Sequence, residues 1–155
     1  MPDPSTLAHW GLPGLFLAAL LAGSIVPAPS EAVLAAIVHG GVSWPLAVTV
    51  ATVGNLLGAA TLYVLGRWVA RGGGGRAGRW VARRREEAAA HHARAERQLR
   101  RWGAPALLLS WLPIVGDAFV LAAGLLGVRV APFVLFTALG KGLRYVSVAL
   151  TVASL

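Results

Sequence analysis

Residues 27–31 read Pro-Ala-Pro-Ser-Glu, and they decide how the amino-terminal half of the chain is built. Glu31 separates two stretches without a charged residue, Pro4–Ser30 and Ala32–Gly66. Each stretch meets the ~20-residue length of a membrane-crossing helix. Proline interrupts a helix, whereas serine followed by an acid favours a new helix start. The pattern therefore predicts an apolar helix that breaks near Pro27 and restarts at Glu31.

The same order of features recurs 86 residues further along the chain. A shift of that length superposes Pro27 on Pro113, and it superposes the two isolated acids, Glu31 and Asp117. Transporters with internal repeats interrupt their helices at such positions. We interpret the chain as an internal repeat, the alternative being chance agreement between Leu/Ala-rich segments. The other superposed pairs are Leu21 with Leu107, Ser24 with Ser110, Ala36 with Ala122, Gly41 with Gly127 and Gly54 with Gly140.

Composition excludes an ordinary soluble domain, because 57% of the residues are apolar and only 13% are charged, against about 25% in soluble proteins. The net charge of +8 is concentrated in Arg67–Arg101, which holds eleven Arg and three Glu. Cytoplasmic loops carry an excess of basic residues, so we expect this segment to face the cytoplasm. No Lys or Arg precedes the first apolar run, so we interpret that run as a mature membrane segment and not as a cleaved signal peptide.

These observations predict an all-α, multi-pass protein of the inner (plasma) membrane with one domain. Each of two repeats, about 10–70 and about 103–155, would be a broken re-entrant helical hairpin followed by a transmembrane helix. A basic cytoplasmic helix, 71–102, would join them, and the repeats would be inverted. In the alternative arrangement all four apolar stretches cross the membrane, Arg129 lies outside, and the repeat is parallel.

Four ionisable residues lie at membrane depth: Glu31, Asp117, Lys141 and Arg144. A charge at the bilayer centre costs about 2.5–3.5 kcal/mol, so such residues normally face a cavity, a partner charge or a substrate. Together with the neutral Asn55 they form the predicted substrate- or ion-binding site.

Each of these residues also has a structural interpretation. The two acids would cap the restarted helices, and the two cations, which share one helix face, would form ion pairs with those acids. Read functionally, Lys141 and Arg144 form an anion site suited to a phosphate headgroup. Asn55 would line the pocket or hydrogen-bond between helices, while Gly54 and Gly58 would allow close helix packing.

The basic helix is predicted to contact anionic lipid, since each basic residue near the surface contributes about 1 kcal/mol of attraction. The lipid-contacting residues would include Arg79, Arg83, Arg84 and Arg85. We expect no nucleic-acid partner, no metal and no cofactor, and we interpret His91 and His92 as surface residues. The absence of cysteine excludes disulfides and thiolate metal sites. No strong catalytic signature occurs, which disfavours an enzyme.

Four ordered segments resemble the YqaA branch of the DedA membrane proteins, in the VTT-domain or SNARE-associated Golgi protein superfamily. The segments are Pro27–Glu31, Gly54–Arg67, Ser110–Asp117 and Leu139–Tyr145. The resemblance implies two facing re-entrant hairpins and a link to lipid flipping or scrambling, including proton-driven recycling of undecaprenyl phosphate. Better-known members carry arginines at the positions corresponding to Ser110 and Gly116, so that anion-binding role does not transfer.

The leading hypothesis is a flippase- or scramblase-type transporter of a phospholipid or polyprenyl phosphate. Lys141 and Arg144 would neutralise the headgroup, and Glu31 or Asp117 would take up a proton. The alternative is a nonenzymatic membrane scaffold for envelope integrity, with structural buried charges and an Arg-rich helix that recruits partners or anionic lipid. A membrane-embedded enzyme acting on a lipid phosphate is a weaker third hypothesis.

Overall fold

All regular secondary structure in the described chain is helical. The structure, a computed structural model, describes residues 4–24, 28–87, 89–112 and 115–154, without the side chains of residues 4–10, 77, 85 and 89. No strand occurs in these ranges, so the predicted all-α class is confirmed. The α-helices are α1 (Pro4–Gly23), α2 (Ser30–His39), α3 (Trp44–Ala70), α4 (Gly75–Glu87), α5 (Ala89–Trp102), α6 (Val115–Leu125) and α7 (Val130–Ala153), and a 3₁₀ helix covers Ala104–Trp111.

The start of α2 lies close to the predicted restart. After α1 ends at Gly23, α2 begins at Ser30, one residue before the predicted restart. Pro27 and Pro113, the prolines at the two predicted breaks, lie outside the described residues. Of the predicted basic helix, 71–102, the described residues from Gly75 to Trp102 form α4 and α5. Residues 71–74 are not helical, and Gly72 among them has a φ of 91°. Glycine adopts that left-handed conformation without a steric penalty.

Among the described residues, two helices, α3 and α7, are long and apolar enough to cross a membrane. On α7 the exposed side includes Leu139 and Leu143, and the hydroxyls of Ser147 and Thr151 lie on the same exposed surface. Each hydroxyl donates to the carbonyl four residues earlier, over 2.8 Å from Ser147 and 2.9 Å from Thr151. Lipid offers no hydrogen-bond partner, so these bonds within the helix leave a surface compatible with hydrocarbon.

The described contacts divide the chain into two compact units, and each long helix contributes residues to both. Unit 1 comprises Met1–Gly58 and Lys141–Leu155. Its core joins α1, α2, the first part of α3 and the last part of α7, and its fully buried side chains include Leu15, Leu34 and Tyr145. Small residues, Ala19, Ala47, Ala51 and Ala149, occupy several of the other core positions, as is typical of membrane helix packing.

Unit 2 comprises Ala59–Gly140 and has its own core around Leu107, Val120 and Phe133. The ring of Tyr63 in α3 stacks on Phe133 in α7 with 4.2 Å between ring centroids. The Tyr63 hydroxyl donates to the carbonyl of Val128, and Arg67 donates to that carbonyl over 3.1 Å. These contacts attach the turn between α6 and α7 to the end of α3.

The turns that follow α2 and α6 have the same hydrogen-bond pattern within their respective units. Gly41 and Gly127, the residues that reverse the backbone, have φ values of 94° and 70°. In each turn three successive backbone N–H groups donate to carbonyls four, three and five residues earlier. The donors and acceptors are Gly40 to Ala36, Gly41 to Val38 and Val42 to Ile37 in unit 1, and Leu126 to Ala122, Gly127 to Gly124 and Val128 to Ala123 in unit 2.

Candidate functional site

A partly buried polar cluster in unit 1 contains four of the five predicted site residues. Glu31 comes from the first turn of α2, Asn55 from α3, and Lys141 and Arg144 from α7. Asn55 and Lys141 are only 6% and 5% exposed. Three helices therefore bring polar side chains together within unit 1.

Glycines on either side of Asn55 allow α3 to approach α1. A Cβ atom added at Gly54 would lie 2.6 Å from the carbonyl oxygen of Phe16, and one at Gly58 would collide with the carbonyl of Leu20. Both glycines thus permit backbone contact that alanine would prevent, which confirms their predicted packing role. Because the residues flanking Asn55 pack against α1, its amide is held inside the unit.

A hydrogen-bonded chain connects Lys141 to the start of α2. The Lys141 ammonium donates to Asn55 Oδ1, and Asn55 Nδ2 donates to the Tyr145 hydroxyl over 2.8 Å. The Tyr145 and Ser30 hydroxyls are 2.9 Å apart, and Ser30 Oγ lies 3.5 Å from Glu31 Oε2. Ser30 and Tyr145 are 0% and 1% exposed, so the middle of this chain is removed from solvent. Buried polar groups that are satisfied in this way order a core, whereas a lost partner leaves a costly unpaired group.

At the carboxylate end of this hydrogen-bonded chain, Arg144 forms an ion pair with Glu31. Their side chains are 32% and 30% exposed, much more than those of Lys141 and Asn55. This is the ion pair that the structural interpretation of the sequence anticipates. It also places a guanidinium, a group suited to carboxylates and phosphates, at the accessible side of the cluster.

The capping interpretation of the first break has less support. Pro29 occupies the N-cap position of α2, and no side chain caps the backbone there. Ser30 is instead the first helical residue, and its hydroxyl contacts Tyr145 and Glu31. The Glu31 carboxylate still lies in the first turn, where the helix dipole favours a negative charge.

Asp117, the fifth predicted site residue, lies in the first turn of α6 and belongs to unit 2. Its proposed participation in the site stays a prediction. Two members of the cluster, Ser30 and Tyr145, were not predicted as site residues. Tyr145 is four residues after Lys141, so helical periodicity places both on one face. That spacing was the available signal, whereas nothing local identifies Ser30 as the partner of Tyr145.

The basic segment presents arginines on exposed surfaces of α4. Arg79, Arg83 and Arg84 are exposed, and the Arg84 guanidinium lies 5.3 Å from the centre of the Trp80 ring. Arg83 and Glu87 form an exposed pair at 3.6 Å. The side chain of Arg85 is outside the part that the structure describes. Contact of these arginines with lipid stays a prediction.

One prediction about the basic segment is wrong: His92 is only 7% exposed, although we interpreted it as a surface residue. It precedes the buried Ala95 and Leu99 by three and seven residues, so it lies on the face with which α5 packs against the core of unit 2. His91, its neighbour, is partly exposed. Within the described ranges no three His, Cys, Asp or Glu side chains are grouped to hold a metal ion.

Comparison with known proteins identifies the family. The profile described as VTT domain matches residues 12–154. The inner membrane protein YqaA of Escherichia coli (strain K12) is 40% identical over 136 residues, which cover 87% of this chain and 86% of YqaA. YqaA of Shigella flexneri gives the same values.

An uncharacterized protein of Haemophilus influenzae is 35% identical over 141 residues, covering 86% of this chain and 82% of that protein. No solved structure matches significantly. The match over nearly the whole chain, together with two helices fit to cross a membrane, leads to one conclusion: the chain is an inner-membrane protein of the VTT domain family, in its YqaA/DedA branch.

Proposed function

We propose that this protein transports a phosphate-bearing lipid, either a phospholipid or a polyprenyl phosphate, across the inner membrane without chemically altering it. The observation that carries the proposal is the Arg144–Glu31 ion pair beside the buried Lys141. A carboxylate is bound to Arg144 in a position that a lipid phosphate would compete for, because both anions accept paired N–H bonds from a guanidinium.

Charge balance suggests how a proton would be coupled to lipid binding. In the described state the charges of Glu31 and Arg144 cancel. Binding a phosphate at Arg144 while Glu31 stays ionised would place two anions beside one guanidinium, which electrostatic repulsion disfavours. A proton taken up by Glu31 removes that repulsion and frees Arg144. Proton uptake and headgroup binding would then favour each other.

The two halves, we propose further, are inverted repeats, each with a re-entrant hairpin. The matching hydrogen bonds and positive-φ glycines of the two turns support a repeat. The helices after those turns, α3 and α7, begin at Trp44 and Val130, again 86 residues apart. Inverted halves would place the α2–α3 turn and the α6–α7 turn on opposite sides of the membrane.

Single cysteines distinguish the two topologies, since the natural chain contains none. Ser43→Cys and Arg129→Cys place a thiol at equivalent positions of the two turns, and Arg83→Cys marks the basic segment. Labelling intact cells with a membrane-impermeant maleimide should modify Cys at 43 alone. Modification at both 43 and 129 would show four full crossings and exclude inverted repeats.

A flipping assay in vesicles containing purified protein tests transport. Fluorescent phospholipid and polyprenyl phosphate should both be assayed, with and without a pH gradient. We expect Arg144→Gln, Lys141→Gln and Glu31→Gln to reduce transport, and Asp117→Asn tests the second acid. Arg129→Gln removes an exposed turn cation and should retain transport. Wild-type rates in the folded Glu31 and Asp117 variants would remove both carboxylates from the mechanism.

A membrane scaffold is the second candidate, and the Arg144–Glu31 pair also supports it, because a charge that is already paired can be purely structural. Replacing Arg83, Arg84 and Arg85 by Gln distinguishes the candidates in cells that depend on the protein. Loss of envelope integrity with unchanged lipid flipping would favour the scaffold. Loss of envelope integrity only in the Lys141 or Arg144 variants would favour transport.

A further inference from the structure

The buried hydrogen-bonded chain in unit 1 has a fixed direction. Lysine has no acceptor, so the Asn55 amide must present its oxygen to Lys141 and its NH₂ group to Tyr145. The Tyr145 oxygen accepts that bond, and its own hydrogen is then available for Ser30. The Ser30 hydrogen in turn points to the Glu31 carboxylate, an acceptor when ionised. Every bond therefore runs from the ammonium towards the carboxylate.

The charges at the two ends reinforce this direction. An ammonium at the donating end and a carboxylate at the accepting end polarise the neutral groups between them in the same sense. Such cooperativity strengthens each bond of a chain by roughly 10–30% in condensed-phase estimates. The 3.5 Å Ser30–Glu31 contact is the longest and weakest link. It is also the link that changes first when Glu31 is neutralised or moves.

Few other titratable groups surround Glu31 in unit 1. From α7 it faces Arg144 and Tyr145, with Lys141 at the far end of the chain. The described side chains of α1, residues 11–23, include no titratable group, and neither does the part of α3 in unit 1, residues 44–58. His39 is the other titratable residue of α2 and lies in its last turn. Within the described part of unit 1, the titratable groups close to Glu31 therefore belong mainly to α7.

We propose that Ser30, Tyr145 and Asn55 form a relay through which the charge of Glu31 controls how tightly the Lys141 ammonium is held. Neutralising Glu31 frees Arg144 directly and weakens, through the relay, the hold of Asn55 on Lys141. Arg144 is then available to an anionic headgroup, and Asn55 holds Lys141 less tightly. Tyr145 and Ser30 are positioning residues in this relay. The role of the relay in transport rests on the proposed function.

Lys141 is the chain's only lysine, which makes the relay measurable without a transport assay. A membrane-permeable amine reagent modifies Lys141 and the terminal amine, and mass spectrometry of the purified protein in detergent follows both rates at constant pH. The terminal amine serves as an internal reference. We expect Glu31→Gln to raise the Lys141 rate roughly 2- to 10-fold, the range that the loss of one net hydrogen bond gives.

The decisive comparison introduces Glu31→Gln into variants that lack one hydroxyl of the relay. In Tyr145→Phe, and in the milder Ser30→Ala, Glu31→Gln should cause no further increase in Lys141 modification. Tyr63→Phe, which removes a hydroxyl in unit 2, should leave the full increase. The relay would be overturned if Glu31→Gln raised the rate of Lys141 modification equally with and without Tyr145→Phe or Ser30→Ala. It would also be overturned if Glu31→Gln did not raise that rate in the natural chain. These experiments do not measure lipid flipping. A negative result for the relay is therefore distinguishable from a negative result for the proposed transport.

Discussion

Ser30 and Tyr145, 115 residues apart in sequence, share a buried hydrogen bond of 2.9 Å between their hydroxyls. The Tyr145 oxygen also accepts from Asn55, so one phenol joins α2 and α3 to α7. Removing it leaves Asn55 and Ser30 without that partner inside a nearly solvent-free core. Ser30 keeps its contact with Glu31, so the loss falls mainly on the Asn55 amide, and one such unsatisfied group costs about 1–3 kcal/mol.

Tyr145→Phe should therefore lower the free energy of unfolding by about 1–3 kcal/mol. Reversible unfolding in mixed micelles, followed by tryptophan fluorescence, measures the change. Thr137→Val is the matched control, since the Thr137 hydroxyl is buried and has no hydrogen-bond partner among the described residues. It should leave stability unchanged or raise it. Equal losses in both variants would show that the Tyr145 bonds contribute nothing specific.

Local chemistry explains why the sequence predicts the helices well. Proline, glycine and lone acids act on the backbone within a few residues, so the restart at Ser30 and the turn at Gly41 follow from short segments. The 3₁₀ helix Ala104–Trp111 is different, because its Leu/Ala composition is equally typical of an α-helix. Nothing in that composition indicates the tighter winding.

The site was predictable in its charged residues and not in its connections. Charges at membrane depth are conspicuous, so Glu31, Lys141 and Arg144 could be singled out. The partners of those charges depend on which helix faces meet, and the sequence marks Ser30 only as part of a helix start. His92 shows the reverse error, since its polar side chain suggested a surface position although its spacing from Ala95 and Leu99 indicated the buried face.

Two helix glycines should respond oppositely to alanine. At Gly54 the new Cβ would lie 2.6 Å from the Phe16 carbonyl oxygen, so α1 and α3 must separate. Overpacking of this kind typically costs about 1–3 kcal/mol. Gly14 in α1 has nothing within 4 Å of an added Cβ, and alanine there should stabilise the helix by roughly 0.5–1 kcal/mol. Unfolding in micelles measures both, and equal effects would contradict close packing at Gly54.

The exposed arginines of α4 should enrich anionic lipid around the protein. Changing Arg79, Arg83 and Arg84 to Gln removes about 1 kcal/mol of attraction for each residue near the surface. Extraction from vesicles with equal phosphatidylglycerol and phosphatidylcholine, followed by mass spectrometry of retained lipid, should show less phosphatidylglycerol. High salt should weaken the enrichment of the natural chain in the same direction. Unchanged retention in the triple variant would place the lipid contact elsewhere.

Two Arg–Glu pairs of different burial allow the role of Arg144 to be measured. A double-mutant cycle of Glu31→Gln and Arg144→Gln should give a coupling of about 1.5–3 kcal/mol in unfolding, because the side chains of Arg144 and Glu31, 32% and 30% exposed, are screened less by water than a fully exposed pair. The Arg83–Glu87 pair, with side chains 74% and 61% exposed, should give only about 0.3–0.5 kcal/mol. If both cycles gave the smaller value, Glu31 would hold Arg144 too weakly to exclude a phosphate. The proton-coupled exchange would then lose its physical basis.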